Sequence, residues 1–216
     1  MRTISQAVER VLERSPFLME ALSEGIANNA HIARKIQPEV EKILMEEVSS
    51  GAIAMAIHRL SKQLQKPMYG IHFLREISDI VVRSNLAEFI FENTPDSLHL
   101  LEAITQYALS KNTSFINFSC GLHESVLIVS SDIKEQALAT LKSLKGLRIQ
   151  KDLSAITMRL PEESLSVPGV YHPILKAIAF EGISIVEVVS VLTEFTIIVK
   201  DEDVDRVFSV LKQVMK

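Results

Sequence analysis

The chain has 216 residues, a length for one or two domains, and with 47% hydrophobic and 23% charged residues it has ample material for packed cores, which excludes global disorder. A net charge of −4 argues against a surface built chiefly to bind nucleic acid by charge. The single cysteine, Cys120, allows no internal disulfide, no apolar run approaches the roughly 20 residues that cross a bilayer, and Met1–Ser5 lacks the apolar core of a signal peptide, so a cytoplasmic protein without a membrane partner is expected.

Residues 1–66 read as helical throughout. Thr3 or Ser5 can cap a first helix with Ala7, Val8, Val11 and Leu12 on one stripe. Ser15-Pro16 is a helix start, and Phe17, Leu18, Ala21 and Leu22 follow before Gly25 closes the segment. Asn28 or Asn29 caps a third helix, with Pro38 as its break and a separate helical stretch over Glu39–Val48. Ser49 or Ser50 then caps a run carrying Ile53, Ala56, Ile57, Leu60 and Leu64. An all-helical domain is expected over 1–66, and one reading of it is a winged-helix or helix-turn-helix relative.

Lys66-Pro67-Met68-Tyr69-Gly70 marks a linker over 67–76, where the apolar period changes from about 3.6 to about 2. Two short strands, Ile77–Val82 and Leu86–Phe91, follow, joined by a tight turn at Ser84-Asn85. A helix over Asp96–Ser110 comes next, then strands Phe115–Cys120 and Ser125–Val129, a helix through Ile133–Leu144 and a strand near Leu147–Ile149. The cycle then returns: strand Ser154–Leu160, helix Pro173–Phe180, strands Ser184–Val189 and Phe195–Val199, helix Val204–Met215.

An offset of 70 residues aligns 100–144 with 170–214 without a gap. Ile104/Ile174, Ser114/Ser184, Leu122/Leu192, Glu124/Glu194, Ile128/Ile198, Val129/Val199, Leu141/Leu211 and Lys142/Lys212 coincide under it. The fold expected is α+β: the helical domain, then two ferredoxin-like βαββαβ units at 77–150 and 151–216, with both helices of each unit on one face of an antiparallel sheet. The second unit ends in its second helix, so the strand 77–82 is expected to complete it.

From Ser166-Val167-Pro168-Gly169-Val170 through Ile174–Ile185 to Val186–Phe195, the residues resemble the ACT family, most closely the tandem ACT regulatory region of aspartate kinases. Thr193-Glu194 stands where those kinases carry Ser-Glu, and Asn93-Thr94-Pro95-Asp96-Ser97 departs from the glycine-containing turn usual in the first unit. The resemblance covers about 77–216 and lacks the kinase domain. It implies a non-catalytic regulatory protein, no cofactor, and an amino acid or similar small effector bound where the strand-to-helix bends of the two units meet. The residues it marks for ligand contact are Asn93, Thr94, Asp96 and Ser97 in the first unit and Val167, Gly169, Val170, Tyr171 and His172 in the second, with Asn117 and Ser119 on one face of a strand. A helix N-terminus suits the carboxylate of such an effector, although Asp96 and Ser97 equally suit plain N-caps and Pro168-Gly169 a plain turn. This cleft requires two packed units, and a single sheet would remove it.

Other chemistry is sparse. His31, His58, His72, His99, His123 and His172 are scattered without metal-ligand spacing. Cys120 shares an apolar strand face with Ile116 and Phe118, which predicts a buried, inert thiol. Residues 1–66 hold nine Lys+Arg against eight Asp+Glu, a local charge of +1 beside −5 for the remainder. That mild asymmetry keeps a DNA-binding regulator as an alternative to a protein-docking domain, with a structural dimerisation module as a third reading. A homodimer is the default expectation.

Overall fold

The computed structural model describes residues 3–64, 71–77, 79–111 and 115–215. Lys66–Gly70, Ser114 and the side chains of His72 and Leu98 lie outside the described residues. The chain divides into two compact units, Met1–Met68 and Tyr69–Lys216.

Among the described residues of the first unit four helices enclose one core: α1 (Ile4–Leu12), α2 (Pro16–Ser23), α3 (Asn29–Leu44) and α4 (Ser50–Gln63). Each starts for a local reason. Thr3 and Gln6 bond reciprocally at the head of α1, Asn28 Oδ1 accepts the His31 amide at 3.0 Å, and Ser49 Oγ accepts the Ala52 amide at 3.2 Å. After α2, Gly25 takes a φ of 72° and lets the Ile26 amide reach back to the Ala21 carbonyl. Their apolar stripes meet in a cluster that includes Ala7, Leu12, Ala33, Val40, Ile53 and Ile57. Pro38 does not break the third helix as expected; α3 runs through it as one 16-residue helix. Pro38 and Arg34 both face solvent, so the carbonyl that loses its bond can be hydrated.

The second unit is α+β, with a six-stranded antiparallel sheet in the order β2-β3-β1-β4-β6-β5. Its strands are β1 (Ile80–Glu92), β2 (Ile116–Cys120), β3 (Glu124–Ser130), β4 (Arg148–Arg159), β5 (Glu187–Val191) and β6 (Glu194–Lys200). Its helices are α5 (Ile71–Leu74), α6 (Pro95–Leu109), α7 (Ser131–Leu141), α8 (His172–Phe180) and α9 (Val204–Val214). Of the stretch read as linker, 71–74 thus forms one helical turn, and Leu74 is fully buried in the core with Ile77.

Two strand readings are corrected. Ile77–Val82 and Leu86–Phe91 are not two strands joined by a turn, because residues 80–92 form the single strand β1. Leu147–Ile149 and Ser154–Leu160 likewise merge into β4, so the boundary drawn between 150 and 151 falls inside a strand. The turn chemistry read at Ser84-Asn85 is real but serves a bulge. Asn85 has a φ of 60° and Asp152 a φ of 58°, and the β1–β4 register shifts between Arg83, Leu86 and Glu88. One extra residue in each strand cancels the other, so pairing continues from Ile80↔Met158 to Ile90↔Arg148.

All four long helices cover one face of this sheet. α6 and α7 pack on Ala87, Phe89, Phe91, Leu127 and Val129. α8 and α9 pack on Ile156, Met158, Phe195, Ile197 and Val199. The 70-residue offset reappears here: Ile104 and Ile174, Leu127 and Ile197, Val129 and Val199, and Leu141 and Leu211 are buried alike. The other face carries a separate apolar cluster, Leu86, Ile128, Leu153, Ala155 and Ile198, with no helix residue in it.

Within this one sheet the two bends do not meet. β1 and β4 run antiparallel along their whole length. The bend after β1 therefore leaves one end of the sheet and the bend after β4 leaves the other, separated by about 40 Å of strand.

Candidate functional site

At the first bend the expected ligand contacts are engaged with the protein. Thr94 is the N-cap of α6; its Oγ1 accepts the Ser97 amide at 3.2 Å and its own amide donates to Ser97 Oγ at 3.0 Å. Asn93 Nδ2 donates to the Gly121 carbonyl at 2.7 Å, and Ser125 Oγ donates to Asn93 Oδ1 at 2.5 Å. These bonds fasten the bend to the β2–β3 hairpin. Asp96 stands exposed in the first helical turn.

At the opposite end Gly169 has a φ of 76°, Val170 is buried in the core and His172 is the first residue of α8. The Tyr171 ring stacks on Phe195 with centroids 4.3 Å apart, and its hydroxyl lies 2.9 Å from Ser190 Oγ. Val167 ends the short 3-10 turn that spans Glu162–Ser166. Asn117 and Ser119 lie on the edge strand β2, where Ser119 Oγ donates to Asn117 Oδ1 at 3.3 Å. The structure thus brings Asn93, Thr94 and Ser97 together, and Val170 to His172 together, at separate ends.

Cys120 is exposed, which corrects the expectation of a buried thiol. It does share its face with Phe118, but β2 is the sheet's outer strand, and Phe118 is itself 39% exposed there. Among the described residues no group of three or more His, Cys, Asp or Glu could hold a metal ion. Nor is any described helix long and apolar enough to cross a membrane.

A groove that sequence reasoning missed lies on the helix-free face. Asp79, Val81, Arg83, Phe115, Thr157, Arg159, Glu194 and Thr196 line a space of about 320 Å³. Strand pairing lays these residues out in rows. Arg159 sits opposite Glu194, with Asp79 leading into the adjacent strand. Val81, Thr157 and Thr196 form the next row, and the two threonine hydroxyls are 2.8 Å apart. Arg83, Ala155 and Ile198 form the third. Guanidinium and carboxylate groups so placed can receive an anion and a cation side by side. The signal was the alternation of Thr157 and Arg159 with Met158, and of Glu194 and Thr196 with Phe195. What it lacked was the β4–β6 register that makes the four neighbours.

Nearer the middle of the same face, Glu88 is 2% exposed between Ile128 of β3 and Gln150 of β4. Burial, and secondarily the charge of Glu187, pushes its carboxyl above the usual range.

No family model matches the chain, and no curated protein matches it in sequence. Solved structures do. The regulatory subunit of aspartate kinase from Thermus thermophilus, in its ligand-free form, is 16% identical with a TM-score of 0.52, over 65% of this chain and 98% of that one. The chain resembles the regulatory region of aspartate kinases. Clostridium acetobutylicum aspartate kinase matches at 12% identity and a TM-score of 0.54, over 65% of this chain and 34% of that one. E. coli aspartokinase III in complex with aspartate and ADP matches at 14% and 0.51, over 64% and 33%. The chain therefore spans about a third of the length of these kinases, and at such identities the likeness is one of fold.

Proposed function

We propose that this chain is a non-catalytic regulatory protein that senses an amino acid or a similar small metabolite. The observation that carries this reading is the match over 98% of the Thermus regulatory subunit, a chain without a kinase domain. In this reading β1–α6–β2–β3–α7–β4 is one ferredoxin-like unit of ACT type. β4–α8–β5–β6–α9 is the second, and the N-terminal half of β1 lies beside β4 where a strand following α9 belongs. Two units that share their central strands cannot move independently, so strain at one half reaches the other through β1 and β4.

Residues 1–66 act in this reading as a separate helical docking domain, and the chain works as a cytoplasmic homodimer. Asp96 and the segment Val167–His172 remain candidate effector contacts, as two points at opposite ends of the sheet.

A thermal-shift screen of the full chain against the twenty amino acids tests the proposal. A true effector at a hundredfold excess over its Kd stabilises by about 2.7 kcal/mol, which raises Tm by roughly 5–10 °C for a chain of this size. No shift with any amino acid overturns the amino-acid-sensing role.

A further inference from the structure

We propose that the groove between the N-terminal half of β1, the C-terminal half of β4 and β6 binds a free α-amino acid with an apolar side chain. The inference rests on the sensing role above but puts the ligand on the helix-free face, away from both bends. An α-amino acid carries a carboxylate and an ammonium on one carbon, so its site needs cationic donors and anionic acceptors within a few ångströms of each other.

The groove supplies both. In its first row Arg159 stands between Glu194 on β6 and Asp79 ahead of β1. Two carboxylates flank one guanidinium there, which leaves a negative charge for an ammonium to neutralise. The Arg159 side chain makes no hydrogen bond or ion pair with another of the described residues, so its planar fork can take a carboxylate in bidentate fashion. Arg83 adds a second guanidinium two residues beyond Val81. Between the charged rows, Val81 and the Phe115 ring form an apolar wall, and the paired Thr157 and Thr196 hydroxyls form the floor. A side chain lying along that wall would be apolar. The volume of about 320 Å³ sits at the bottom of the roughly 300–1,000 Å³ usual for small-molecule sites, which suits a single amino acid.

Isothermal titration of the full chain with L-leucine, L-isoleucine, L-valine and L-methionine is the test. For whichever binds, the matching amide, which lacks the carboxylate, and the matching deaminated acid, which lacks the ammonium, are expected to bind at least about tenfold more weakly. Arg159→Ala and Glu194→Gln should each weaken the parent amino acid by a similar factor, while Lys145→Ala, far from the groove, leaves it unchanged. Should Arg159→Ala fail to fold, the near-isosteric Glu194→Gln carries the comparison. Binding that survives both groove variants but is lost in Asp96→Ala overturns the groove and keeps the sensing role. Failure of all four apolar amino acids overturns the groove assignment even if a different amino acid binds; failure of all twenty overturns both.

Discussion

Leu86 and Leu153 face each other across β1 and β4, each next to its strand's bulge residue, Asn85 and Asp152. Both are buried in the helix-free cluster, at 2% and 0% exposure. Each stands one residue beyond the left-handed residue of its own strand, so the two halves of the sheet meet at this pair. Leu86→Ala or Leu153→Ala is expected to cost about 2–5 kcal/mol. Because the two are register partners, the double variant should show a coupling of about 0.5–3 kcal/mol in a denaturant double-mutant cycle. Strict additivity would mean that the halves do not support each other here.

The bulge itself can be tested at Asn85. Its φ of 60° is tolerated by asparagine and glycine and disfavoured by branched residues. Asn85→Gly is expected to change stability by less than about 1 kcal/mol, whereas Asn85→Val should lose at least about 1–2 kcal/mol. Chemical denaturation of the two variants checks the order; equal loss would place the cost in the asparagine side chain instead.

Glu88 gives a pH signature. Burial raises its folded-state pKa above the unfolded value, so the folded chain holds the proton more tightly. The stability this contributes is complete below the ordinary glutamate range, near pH 4.5, and is lost as pH rises through the raised folded value. Glu88→Gln stays neutral throughout. Its stability relative to wild type should therefore grow between about pH 5 and about pH 8. Unfolding curves at the two pH values measure this, and a constant gap would show that Glu88 titrates normally.

Asn93 holds the first bend to the β2–β3 hairpin through two side-chain bonds. Asn93→Ala leaves the Gly121 carbonyl and the Ser125 hydroxyl without this partner, at an expected cost of about 1–3 kcal/mol. Hydrogen exchange should quicken over 121–125 and at the start of α6. Unchanged exchange in the hairpin would show that its own strand pairing suffices.

Much of the local structure was legible in the chain. Thr3, Asn28 and Ser49 start helices because a short polar side chain can satisfy a free amide three residues on, and that needs no distant partner. The doubled order of elements and the buried pairs such as Ile104 and Ile174 were visible as apolar period and offset. The left-handed chemistry at Asn85 was visible too, but its meaning was not. A turn and a bulge use the same backbone conformation, and only the strand alongside distinguishes them.

Composition and pattern by themselves determined where helices begin, which residues seek a core, and that the α+β elements recur in one order, since these follow from energies acting within a few residues. Tertiary structure alone decided that β1 and β4 are single strands shared across one sheet, that the two bends point to opposite ends, and that Cys120 is open to solvent. It also placed Arg159 beside Glu194. Those outcomes depend on which strand pairs with which and in what register. That choice is made by contacts between residues far apart in the chain, whose free energy no local pattern records.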